Sequence, residues 1–117
     1  MQRLSAYDLR RTYGDLLARD VQIWAGAGWL RVITDALDEL AGKGVRVTTI
    51  REKMGSCLLV TEPNDSLVSS DTMRVARAVT WQAWQRATRT CEACGGPGSR
   101  SRRGSVNCRC DEHQDEL

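Results

Sequence analysis

Four of the five cysteines in this 117-residue chain fall between residues 91 and 110, as Cys91-Glu-Ala-Cys94-Gly95-Gly96 and Cys108-Arg-Cys110-Asp-Glu-His113. No other feature constrains the fold as much. A CxxC followed by glycine delivers two thiolates to one ion while the chain reverses, and glycine supplies the positive φ that such a reversal needs. The second half offers three donors for the two remaining tetrahedral positions. Cys110 and His113 repeat the spacing of the first pair, so Cys91, Cys94, Cys110 and His113 are the favoured ligands, with Cys108 as the alternative. A mixed thiolate and imidazole set of four points to Zn2+ in a closed structural site without a position for catalytic water. A redox dithiol fits less well, because such motifs open a helix after a strand and this one follows a helix.

Cysteine usage also points to a reducing compartment. An odd number of cysteines, crowded together, reads as metal ligands in a reducing environment before it reads as disulfides. The first residues lack an apolar signal core, and the longest apolar stretches are far below the roughly 18 residues of a membrane span. A cytoplasmic protein with no membrane partner is the expectation. At this length, with 41% apolar and 27% charged residues, the chain is expected to form one small domain with an appendage.

The apolar pattern predicts an α+β fold in which helices pack on a β-hairpin. Ser5 and Asp8 have the spacing of a helix start, and Leu9, Tyr13, Leu16 and Leu17 follow at helical intervals, predicting a helix over residues 6–19. Residues 20–28 read as a connection. Leu30, Ile33, Leu37 and Leu40 form one helical stripe ended by Gly42. The β-branched run from Val45 and the apolar run Cys57 to Thr61 predict the two strands of the hairpin, with Cys57 a buried small hydrophobe. Ser69 or Ser70 can cap a third helix running to about residue 90, with Met73, Ala76, Thr80, Ala83 and Ala87 along one stripe. The expected division is a body over 1–90 and a zinc knuckle with an acidic tail over 91–117. Since the knuckle has few apolar residues, loss of the ion is expected to disorder it and leave the body largely folded.

Charge is distributed unevenly. From Met73 to Cys110 there are eight arginines against Glu92 alone, whereas residues 1–72 carry nine basic and ten acidic groups. Arg100, Arg102 and Arg103 lie between the two ligand pairs and are expected on an exposed loop; Arg74, Arg77, Trp81 and Trp84 on the preceding helix are further candidate partner contacts. His113 is the only histidine, and no nucleophile elbow, phosphate loop or HExxH pattern is present, so a non-enzymatic protein without a small-molecule substrate is expected. The reading is a zinc-binding protein that presents an Arg-rich loop to a macromolecule, nucleic acid first. The alternative is an inhibitor from a phage or mobile element that binds a host protein, such as a component of a defence system of the anti-CRISPR type.

The segments Gly28-Trp29-Leu30, Val45-Arg46-Val47, Arg51-Glu52-Lys53-Met54-Gly55 and the two ligand pairs carry a resemblance. Over residues 28–113 the chain resembles a family of small uncharacterised bacterial and phage proteins that join an α+β body to a C-terminal zinc-ribbon-like element. It departs from them at Met54, where the family tends to have an aromatic residue, and at Cys108, which is extra. The resemblance implies an architecture and a mobile-element setting, and brings no established activity.

Overall fold

The computed structural model describes residues 2–65, 67–101 and 107–113. Helix α1 covers Ala6–Tyr13, strand β1 Leu17–Trp24, helix α2 Leu30–Leu40, strands β2 and β3 Val45–Lys53 and Ser56–Pro63, and helix α3 Ser70–Ala87. Two short strands, β4 (Ser99–Ser101) and β5 (Asn107–Arg109), form a separate antiparallel pair. The body is α+β, but its sheet has three strands in the order β1-β2-β3. β2 and β3 make the expected antiparallel hairpin. β1 lies parallel to β2 on the other side, and α2 is the crossover that parallel pairing requires.

The first helix is shorter than its spacing predicts, for a local reason. The helix starts where expected, with Ser5 Oγ accepting the Asp8 N–H at 3.3 Å. It stops at Gly14, whose φ of 52° and ψ of −122° lie outside the range of L side chains, and whose N–H closes on the Arg10 carbonyl. Leu16 and Leu17 still reach the core, carried by a 3-10 turn and the start of β1 rather than by α1. Residues 20–28 are therefore not a connection: most of them belong to β1 and its irregular register against β2, which shifts between Leu17 and Gln22. Arg10 spans that irregularity by donating to the Ala18 and Arg19 carbonyls.

One face of the sheet and the helices enclose a single core. Val45, Val47, Ile50, Cys57 and Leu59 meet Val32, Ile33, Leu37 and Leu40 of α2 and Ala76, Val79, Ala83 and Ala87 of α3. Leu30, expected on the α2 stripe, is instead exposed, and Val32 and Ala36 take the buried positions beside Ile33 and Leu37. Ser69 caps α3 through the Thr72 N–H. The small residues of α3 let it lie close on the hairpin, where Ser56 Oγ donates to the Trp84 carbonyl at 2.6 Å. Trp81 and Val75 fall outside this contact and face water. No helix among the described residues is long and apolar enough to cross a membrane.

Candidate metal centre

The end of α3 leads directly into the first ligand pair. Thr90 Oγ1 donates to the Arg86 carbonyl, and the chain then turns so that the Gly95 N–H donates to the Cys91 carbonyl and the Cys91 N–H to the Gly96 carbonyl, each at 2.8 Å. Gly95 has φ 82°, the conformation expected of a glycine after CxxC. The second pair follows β5: Cys110 comes directly after the strand and His113 ends the 3-10 turn Asp111–His113, where the His113 N–H closes on the Cys110 carbonyl. A three-residue step along that turn sets Cys110 and His113 on the same side.

These elements bring one donor atom each from Cys91, Cys94, Cys110 and His113 within 4.8 Å of one another. Cys94 and Cys110 Sγ are 3.7 Å apart, as are Cys91 Sγ and His113 Nδ1, and Cys110 Sγ lies 2.9 Å from the same nitrogen. All five cysteines are free thiols. The edges of a tetrahedron with metal–sulfur bonds of about 2.3 Å measure about 3.8 Å between sulfurs and slightly less between sulfur and nitrogen. Two of the distances match; the third requires the imidazole to swing out by roughly half an ångström on metallation. The donor set therefore fits a four-coordinate metal ion.

Electrostatics favour thiolate at the buried end of the site. Burial pushes the Cys91 thiol up, but backbone N–H groups of Cys110, Cys94 and Ala93 and the Cys94 side chain outweigh it and bring the value down to about 7. Burial and the neighbouring Cys94 and Cys91 thiols raise Cys110. Metal binding at such a site requires thiolates and releases their protons.

Cys108 lies apart from this group. It is fully buried in the hydrophobic core, its thiol donating to the Thr88 carbonyl at 3.3 Å. Burial pushes it up to about 11, and burial with the nearby Glu92 charge pushes Cys57 up to about 12. Both are thus protonated and poor nucleophiles at neutral pH. Alkylation of the chelated protein at pH 7.5, followed by mass spectrometry, is expected to label Cys94 and Cys110 rapidly and Cys57 and Cys108 slowly. Rapid labelling of Cys108 before unfolding would place it in the metal group instead.

The knuckle makes hydrogen bonds to the body around the start of α2. Gly28 donates its N–H to the Glu92 carbonyl at 2.8 Å, Gly26 donates to Glu92 Oε2 at 3.0 Å, and Trp29, which is fully buried, donates its indole N–H to the Thr90 carbonyl at 2.9 Å. The Glu92 side chain also faces Arg109 at 3.9 Å, and both are 4% exposed. Burial raises the Glu92 carboxyl, opposed by the Gly26 N–H and the Arg109 charge. A buried pair of this kind is costly to break from one side, by about 3–5 kcal/mol. These contacts join the knuckle to the chain around Gly26, Gly28 and Trp29. Glu92, Arg109 and Gly28 carried no periodic or spacing signal, because their partners are distant in sequence.

The candidate partner contacts are placed differently from one another. Arg100 is exposed on β4, and its guanidinium donates to the Met54 carbonyl at 3.0 and 2.6 Å, tying β4 to the hairpin turn. Arg102 and Arg103 lie outside the described residues. Arg74 and Arg77 are exposed on α3, Arg74 beside Asp71 at 3.5 Å, and Trp81 is 58% exposed on the same helix. Trp84 is half-buried against the hairpin. No protein-family model, no curated protein and no solved structure matches the chain.

Proposed function

We propose that the ion is zinc, that its role is structural, and that the protein is a non-enzymatic binder of nucleic acid. The observation that carries the first part is the set of four protein donors, three thiols and one imidazole, converging within 4.8 Å. Such a set satisfies zinc without a water ligand and leaves no open position for substrate. It also accounts for a C-terminal element that holds its place on two three-residue strands.

The second part is supported by charge. Of the residues from Met73 to Cys110, the single acid is Glu92, and its carboxylate is buried against Arg109. The surface of this segment is therefore cationic, with Arg77 exposed on α3, Trp81 exposed four residues further along the same helix, and Arg89 exposed just beyond its end. Arg102 and Arg103 add to the same balance. The full-length protein purified without chelator is expected to contain one zinc per chain by elemental analysis. It is expected to bind labelled oligonucleotides with an affinity that falls steeply as salt rises, because phosphate contacts release condensed counterions. Absence of metal would overturn the zinc centre; absence of salt-sensitive binding would overturn the nucleic-acid reading.

A further inference from the structure

Among the described residues no element covers the second face of the three-stranded sheet, and that face carries Trp24, Leu58 and Val60 among its polar side chains. Register places Gln22, Thr49 and Val60 in one cross-strand row and Trp24, Arg51 and Leu58 in the next. These rows alternate with the buried Ile50 and Leu59, so they point away from the helices. Trp24 is 60% exposed. The Arg3 guanidinium lies over its indole, 4.6 Å from the ring centroid. Arg3 is held there because its segment pairs with the chain beyond β1, through an Arg3–Gly26 bridge and the Leu4 N–H donating to the Ala25 carbonyl.

This face carries charge of both signs, with Asp20 exposed on β1 two residues from Gln22 and Arg51 exposed on β2. Glu62, the acid on the outer side of β3, is already paired with Arg46 at 2.6 Å. Arg51 is exposed beside Trp24 and makes no ion pair among the described residues. The face therefore combines an exposed indole with two flanking guanidinium groups and a half-apolar floor from Leu58 and Val60.

We propose that this face is a seat for single-stranded nucleic acid, with an unpaired base stacked at Trp24 and backbone phosphates at Arg3 and Arg51. The proposal rests on the nucleic-acid reading above and gives it a substrate class and a location. Base stacking on an aromatic side chain is tolerant of sequence, and it requires bases that are not already stacked inside a duplex. An Arg stacked on the indole keeps its N–H edges available for phosphate while restricting its motion. The cation at the seat thus loses little freedom on binding.

The test uses the full-length, metal-loaded protein and fluorescence anisotropy with a labelled single-stranded 12-mer and a duplex of the same length. Single strand is expected to bind better than duplex. Trp24→Ala is expected to weaken single-strand binding roughly tenfold, Trp24→Phe to retain most of it, and Arg51→Ala to reduce the salt slope by about one. Circular dichroism and zinc content, unchanged in all three, establish that the variants fold. If Trp24→Ala binds like the parent while Arg77→Ala with Arg89→Ala loses binding, the nucleic-acid reading survives and this seat is wrong. Preference for duplex also overturns the seat. Failure of the parent to bind either probe overturns both.

Discussion

Cys91→Ser is expected to lower the melting temperature of the entire protein, and not merely to release its C-terminal segment. Cys91 is a fully buried member of the donor cluster whose neighbours Glu92 and Arg109 are packed beneath the surface, and Cys108 belongs to the same core as Ile33 and Leu37. Metal binding in small thiolate sites contributes on the order of 10 kcal/mol at neutral pH, comparable with the whole stability of about 5–15 kcal/mol typical of a domain. Even a third of that lost from a chain of this size corresponds to a melting shift of more than about 10 °C. Chelation of the parent protein should produce the same shift. The measurement is thermal unfolding followed both by far-ultraviolet circular dichroism and by the fluorescence of the four tryptophans, among them the buried Trp29 bonded to Thr90. Coincident, lowered transitions are expected. An unchanged transition with loss of residues 91–117 to proteolysis would mean that the knuckle is a separable appendage.

Gly28→Ala is expected to be the most damaging single methyl group. A Cβ at that position would stand 2.3 Å from the Cys91 carbonyl oxygen and 2.5 Å from that of Glu92. Both are backbone atoms, so no side chain can swing away, and relief requires the knuckle to separate from the chain preceding α2. Overpacking costs typically 1–3 kcal/mol and more where the backbone must move, so a loss of about 3 kcal/mol with weakened zinc retention is expected. Gly42→Ala supplies the contrast. Gly42 has φ 78° but nothing within 4 Å of its would-be Cβ, leaving only the conformational cost of about 1–2 kcal/mol. Urea denaturation of the two variants separates the effects, and equal losses would show that the contact between Gly28 and the first ligand pair does not matter.

The parts of this architecture that were legible in the sequence are those with local causes. The spacing of Cys91, Cys94, Cys110 and His113 indicated the cluster because metal geometry is short-range. The alternation from Val45 and the Ser69 cap indicated β2 and α3 for similar reasons. β1 was missed because Arg19 and Asp20 interrupt its apolar pattern and its partner is a parallel strand beyond α2. Such pairing leaves no signature in the adjacent residues. Gly14 held the information that α1 would stop, but a glycine inside a helical pattern reads as a mild defect until its φ is known. The union of knuckle and body was invisible for a further reason. It depends on the Gly28 N–H, the Glu92 backbone and the Trp29 indole, groups that every chain possesses in some form. The count of arginines overstated the free charge, since Arg109 faces Glu92, Arg86 pairs with Asp35 at 2.8 Å and Arg100 serves the hairpin turn.

Zinc-edge X-ray absorption on the protein as purified, with its metal quantified per chain, tests the central claim most directly. Coordination by Cys91, Cys94, Cys110 and His113 predicts one zinc with three sulfur neighbours at about 2.3 Å and one nitrogen at about 2.0 Å, and a spectrum that is unchanged in Cys108→Ser. A four-sulfur shell that loses one sulfur in Cys108→Ser, or the absence of stoichiometric metal, would contradict it.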